Sequence, residues 1–180
     1  MIQVHGDAIE DALKAFPCGN YLVTATSEGR SNGVLAEFVM QGGHTPPTIV
    51  MSTRKGQILS PLIRDSRRFA VAIIDRRARA QVRRFVNSSV DSINPFIGLQ
   101  VDYTPSEIPV LQDSVAWFEC ELARHIDIDS DCELYVGNIV AAGVNEEGFY
   151  EEDPVTQSLR EELLATTVGD ELQELVAEAH

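Results

Sequence analysis

The chain has 180 residues, 44% of them apolar and 23% charged, the composition of one globular domain, or a domain with a tail, rather than a disordered or collagen-like chain. Twenty-eight acids against fourteen bases give a net charge of −14, which repels nucleic acid, and no apolar run approaches the ~20 residues of a membrane span. The first residues lack the basic and then apolar run of a secretion signal, and three cysteines without CxxC spacing disfavour a disulfide framework or zinc knuckle and point to a reducing cytoplasm.

Ile9, Ala12, Leu13 and Phe16 lie at helical spacing behind Asp7, which can cap the helix with Glu10 completing a capping box. Tyr21–Thr26 is rich in β-formers and stops at a hairpin signal, Ser27-Glu28-Gly29-Arg30. Gly33–Met40 reads as the returning strand, residues 42–47 as a loop, and Thr48–Thr53 as a third strand. A short helix is expected around Ile58–Ser66, with Pro61 in its first turn, then a strand over Arg68–Ile74 and a basic helix over Arg76–Val86. Residues 87–112 show no period and read as a long loop. Two long strands follow, Val115–Ile126 and Glu133–Val144, joined by the turn residues 127–131. In the first of them Ala116, Phe118, Cys120 and Leu122 form a core face, opposite a half-wet face of Val115, Trp117, Glu119 and Glu121.

Asp153-Pro154 opens a leucine-striped segment, read as a helical tail. The expected division is a domain over residues 1–150 and an acidic helical tail over 151–180. The fold class expected is mainly β with short helices: an antiparallel barrel of about six strands, since the strands follow one another without alternating helices.

Charge is unevenly placed. Eight of the fourteen basic residues fall between Arg64 and Arg84, while residues 145–180 hold eleven acids and one base, Arg160. Either both runs are solvated faces, or they pair with each other, or the arginines gather a small anion.

No GxSxG, GxGxxG, P-loop or HExxH motif is present. The four histidines are too scattered for a local metal motif and read as surface or loop residues. Cys120 reads as an inert core residue, and nothing near Cys18 marks it as a nucleophile. The informative segment is Ser52-Thr53-Arg54-Lys55-Gly56-Gln57-Ile58. It leaves a strand and enters a helix, with two hydroxyls, two cations, a glycine for close backbone approach and the free N–H groups of a helix start. Those are the parts of a phosphate cradle, to which Arg83 or Arg84 could add charge.

An ordered set of segments carries a resemblance: Phe16-Pro17-Cys18-Gly19, Asn32–Phe38, Pro46-Pro47, Ser52–Ile58, Pro61–Val71, Asn94-Pro95-Phe96, Pro109-Val110-Leu111, Ala116–Cys120 and Asp131-Cys132 followed by Gly137. Over roughly residues 10–144 the chain resembles the flavin reductase-like family, FMN-binding split barrels that supply reduced flavin to monooxygenases. The resemblance implies a homodimer of split β-barrels with flavin near the subunit interface. It implies that Val34, Leu35, Ala36, Glu37 and Phe38 run along the isoalloxazine ring. Ser52, Thr53, Arg54, Lys55, Gly56 and Gln57 would hold the ribityl chain and phosphate, helped by Arg84. Gly19 would leave room beside the ring, and Cys132 would stand near the nicotinamide.

The implied activity is hydride transfer from NAD(P)H to FMN, with FAD an open alternative and a monooxygenase component a partner. Neither nucleic acid nor membrane is an expected partner. The cofactors carry that chemistry, so no catalytic residue and no metal ligand is expected of the chain. Two positions depart from the family pattern: Ala36-Glu37 replaces paired serines, and Ser130-Asp131-Cys132 replaces a turn ending in histidine. Two other readings follow: a flavin-binding protein of this fold without reductase activity, and an interaction protein that kept the barrel without flavin.

Overall fold

A computed structural model describes residues 8–74, 82–86 and 94–145. A first helix, α1 (Ala8–Lys14), precedes β1 (Tyr21–Ser27) and β2 (Arg30–Ala36). These two strands are joined by Glu28 and Gly29, both at positive φ, the two-residue turn whose twist matches a hairpin. Then come β3 (Phe38–His44), β4 (Pro47–Arg54), α2 (Leu59–Ser66) and β5 (Arg68–Ile74). Two short strands, β6 (Val101–Tyr103) and β7 (Pro109–Leu111), precede the long hairpin β8 (Ser114–Asp127) and β9 (Cys132–Val144). All described residues fall within one compact unit, Met1–Gly148, and among the described residues no helix is long and apolar enough to cross a membrane.

Seven strands form one antiparallel sheet in the order β2-β1-β5-β8-β9-β4-β3. Its two edges, β2 and β3, are consecutive in the chain and separated by Glu37 alone. One residue spans only about 3.5 Å, so the sheet must curl until its edges meet, yet no ladder joins them there. The result is an antiparallel barrel, as the strand pattern predicts, and a split one, as the resemblance implies.

Several expectations need correction. Gly33–Met40 is not one strand but the end of β2 and the start of β3, because the chain steps at Glu37 from one sheet edge to the other. Gly42–His44 belongs to β3, with a bulge at Gln41/Gly43, rather than to the loop. Residues 101–103 and 109–111 pair as a small second sheet where a plain loop was expected, so the described residues hold nine strands, seven of them in the barrel sheet, beside the about six expected. Of the basic segment, the described part is one 3-10 turn, Arg83–Phe85. The apolar face of α1 exists but stays open, with Ile9, Leu13 and Phe16 exposed by 71, 64 and 63%. The expected helical tail lies outside the described residues.

The barrel interior is filled from α2. Leu59, Leu62 and Ile63, at i, i+3 and i+4, meet Val23, Val34, Met51, Phe69, Val71 and Tyr135. A second cluster covers the outer face of β1 and β5, where Leu22, Ala72 and Ile74 pack under Phe85, Phe96 and Leu111. Both β1 and β5 are therefore buried on two faces, which explains their nearly continuous apolar runs. Cys120 sits in the interior, and its burial pushes the thiol up to about 12, with nearby Glu119 adding to the shift. Glu119 departs from its expected half-wet face: it is 1% exposed, covered by Arg68 and the 104–108 turn.

Candidate functional site

β4 ends at Arg54, and α2 starts at Leu59. The corner between them is docked on the β8–β9 turn. The Lys55 amide donates to the Asp131 carbonyl at 2.9 Å, and its Nζ donates to the Ile128 carbonyl at 2.7 Å while pairing with Asp127. Arg54 stands opposite Cys132 in the β4–β9 register. Gly56 takes φ +78°, and a Cβ there would meet nothing within 4 Å. Glycine thus serves the backbone conformation and leaves the peptide open to approach. The Gln57 carbonyl accepts from the Ser60 amide at 3.2 Å, starting the helix, while its side-chain Oε1 is buried without a partner.

The register joins two segments that are distant in sequence. Phe38 lies directly opposite Ser52, so the β2–β3 step and the β4–α2 corner are neighbours at the open end of the β3–β4 hairpin. Phe38 is 53% exposed and Ser52 half-buried, while Thr53 is buried opposite Glu133. Val34 and Ala36 point into the core, so only their backbone is available to a ligand; Leu35, half-buried, packs against the outer cluster, whereas Glu37 and Phe38 are exposed. The exposed Glu37 side chain turns away from the interior, and its carbonyl accepts from the Gly19 amide at 3.2 Å.

Two expected site residues have other local duties. A Cβ on Gly19 would strike the Tyr21 ring, so the room that glycine leaves is filled by Tyr21. Arg84 uses Nη1 to hold the carbonyls of Pro95 and Ile97, at 3.1 and 2.9 Å. Its 3-10 turn packs on β2, where Phe85 faces the missing side chain of Gly33. Neither of these contacts brings Arg84 to the corner.

Beside the corner lies a cavity of about 410 Å³, lined by Lys55, Gly56, Gln57, Ile58, Ser60, Pro61, Arg64, Asp127 and Glu133. Its wall holds a polar chain that sequence reasoning missed. Ser60 Oγ bonds Tyr135 at 2.6 Å, the tyrosine donates to Glu133 Oε1 at 2.9 Å, and His125 Nε2 meets Glu133 Oε2 at 2.7 Å. The imidazole stacks on the tyrosine ring with centroids 4.7 Å apart. His125 is thus no loop histidine; it stands opposite Tyr135 in the β8–β9 register. The alternation of Glu133 and Tyr135 in one strand was the available signal.

Burial pushes the Glu133 carboxyl up, but hydrogen bonds from His125, Tyr135 and Ser60 outweigh it and hold the group below its ordinary range. Burial, reinforced by the Glu133 charge, lifts the Tyr135 phenol to about 12. The hydrogen bond and charge of Lys55 lower Asp127. Hydrogen bonds from Ser130 and then Cys132 lower Asp131, with Arg54 adding its charge. The cations of the corner therefore work beside two ionised carboxylates. The arrangement can hold a phosphate or polyol.

Residues 13–157 match the family model described as the flavin reductase like domain. The chain is 24% identical over 147 residues to an NADH-dependent flavin reductase of Pseudomonas fluorescens, covering 81% of this chain and 82% of that protein. It is 26% identical over 135 residues to the high molecular weight rubredoxin of Moorella thermoacetica, covering 74% of this chain but only 58% of that relative. Among solved structures, the styrene monooxygenase flavin reductase of Pseudomonas putida superposes with a TM-score of 0.67 at 24% identity, over 78% of this chain and 88% of that one, a likeness of fold. On the match over 13–157, the chain belongs to the flavin reductase-like domain family.

Proposed function

We propose that this chain is an NAD(P)H-dependent flavin oxidoreductase that holds FMN or FAD and supplies reduced flavin to a monooxygenase. The observation that carries it is the pairing of Phe38 with Ser52, which sets an exposed aromatic face beside the cationic corner. The corner fits a phosphorylated polyol: Gly56 leaves its peptide open, Arg54 and Lys55 bring charge, and the unpartnered Gln57 Oε1 offers an acceptor to a hydroxyl. The chemistry supplied by a bound flavin is hydride acceptance from a nicotinamide, so the chain is left with binding, orientation and shielding.

In this reading, the backbone of Val34–Ala36 with Leu35, Glu37 and Phe38 borders the ring, and Ser52, Thr53, Arg54, Lys55, Gly56 and Gln57 hold the ribityl phosphate. Arg84 acts by fixing the Pro95–Ile97 turn above β2. Gly19 acts by seating Tyr21 and by tying the Glu37 carbonyl. Cys132, half-buried opposite Arg54, borders the nicotinamide side. Exposed Phe38, Met40, Val140 and Val144 support a homodimer, since a monomer gains nothing by leaving such side chains in water. The site of action proposed is the cytoplasm.

The test is direct. Purified protein is titrated with FMN and FAD by fluorescence, and NADH and NADPH absorbance is then followed with added flavin. Flavin-dependent nicotinamide oxidation supports the reading; its absence at high enzyme concentration defeats it. The Lys55–Asp127 pair, which already neutralises one cation of the corner, favours a second reading, a flavin-binding protein without turnover. Quenching without oxidation selects that one.

A further inference from the structure

The corner between β4 and α2 does not hold its own shape. Gly56, at φ +78°, is its most permissive residue, and α2 starts at Ile58 without a side-chain cap and with no acid in its first turn. The peptides of residues 56–58, which line the cavity, are fixed from outside instead. One anchor is on the Lys55 side, where the amide and Nζ reach the β8–β9 turn. The other is on the α2 side, where Ser60 Oγ meets the Tyr135 hydroxyl at 2.6 Å. Both anchors are carried by the β8–β9 hairpin, so residues 56–58 span a single support.

The Tyr135 anchor is itself braced. Its side chain is fully buried, donates to Glu133 Oε1 at 2.9 Å and stacks on the His125 ring, which closes the chain on Glu133 Oε2 at 2.7 Å. α2 needs none of this to stay on the barrel, because Leu59, Leu62 and Ile63 already bury its apolar face. A buried pair of hydroxyls carries a desolvation cost that an alanine and a phenylalanine would avoid. What the pair adds is a fixed place for Ser60, whose amide holds the Gln57 carbonyl at 3.2 Å. A peptide already in position when an anion arrives loses little freedom on binding, whereas one that must first be ordered binds more weakly.

We propose that Tyr135, acting through Ser60, is a positioning residue that presets the peptides of residues 56–58 for the phosphate of a flavin. The proposal rests on the flavin reading and deepens it: a buried tyrosine that touches no ligand sets the preference for FMN over riboflavin. Two consequences distinguish this role from general stabilisation. The loss on removing the link is confined to the phosphorylated ligand, and Tyr135 and Ser60 act as one unit.

The experiment compares full-length wild type with Tyr135→Phe, Ser60→Ala, the double variant and Glu119→Gln. The last is the control: it breaks the buried pair with Arg68, outside the cavity lining, and destabilises without loosening the corner. Each protein is melted first and then titrated with riboflavin and FMN by flavin fluorescence at a temperature where it is folded. The expected result is FMN weakened about five-fold in each single variant and no further in the double, with riboflavin changing less than about two-fold. Glu119→Gln keeps both constants. Equal losses for the two ligands, losses that multiply in the double variant, an unchanged FMN constant, or the same selective loss in Glu119→Gln each overturn the proposal while leaving flavin binding intact. Should Tyr135→Phe not fold, Ser60→Ala is decided by amide hydrogen exchange at residues 56–58 in the ligand-free protein. Exchange about five-fold faster than wild type supports positioning, and an unchanged rate makes Ser60 a ligand contact only and overturns it. Wild-type protein that takes up no flavin defeats the flavin reading, and this proposal with it, before any variant is compared.

Discussion

Tyr135 donates its hydroxyl hydrogen to Glu133 across 2.9 Å, inside the barrel, and takes the Ser60 hydroxyl at 2.6 Å on its other side. One phenol thereby links the first turn of α2 to the β8–β9 hairpin. Tyr135→Phe keeps the ring and removes that link, costing Ser60 and Glu133 one hydrogen bond each. A loss of about 1–3 kcal/mol in unfolding free energy is expected. Urea unfolding with an unchanged midpoint would show that water replaces the phenol at no cost.

Folding lowers the carboxyl of both Glu119 and Glu133 from an ordinary 4.5, the hydrogen bonds prevailing over burial in each. The folded state then binds fewer protons than the unfolded chain in acid. Their contribution is complete above about 4.5 and is lost as pH falls through the folded values. Melting temperature should therefore hold steady at neutral pH and drop below about 4.5. Glu119→Gln should melt lower at pH 7, where Arg68 loses its partner, and fall less steeply in acid. Parallel wild-type and variant curves between pH 3 and 7 would contradict this.

Arg54 and Lys55 differ in what their removal does. Lys55→Ala also frees Asp127 and unties the corner from the Ile128 carbonyl, so it mixes electrostatics with structure. Arg54→Ala is the cleaner probe. It should weaken FMN by about ten-fold and riboflavin by far less, since only FMN carries a phosphate for the guanidinium. Fluorescence titration of both ligands decides it, and equal losses would make the corner a structural element alone.

Two glycines should respond differently to alanine. A Cβ on Gly137 would come within 2.5 Å of the Phe69 ring and 2.7 Å of the Cys120 Cβ, deep in the barrel. Gly137→Ala should cost about 1–3 kcal/mol through overpacking. At Gly56 the added methyl meets open space, and the penalty comes only from φ +78°, about 1 kcal/mol. Denaturation midpoints for the two variants test the order; a larger loss at Gly56 would reverse it.

Local pattern alone determined much of this protein. Alternation and β-formers mark β1, β4, β5, β8 and β9 within a residue or two, and the short helix read around Ile58–Ser66, with Pro61 in its first turn, is α2. These features are legible because each depends on neighbours in the chain. The hydroxyls, cations and glycine of Ser52–Gln57 mark the corner by chemistry alone. What only the tertiary structure decided lies in contacts between distant segments. The step at Glu37 exists because β2 and β3 occupy opposite edges of a sheet that has to curl. Phe38 reaches Ser52, Lys55 reaches the β8–β9 turn, and His125 reaches Glu133 and Tyr135 only through strand register and the closure of the barrel. Register is set by the summed burial of whole strands, so no single segment carries the information that pairs a charge with its partner.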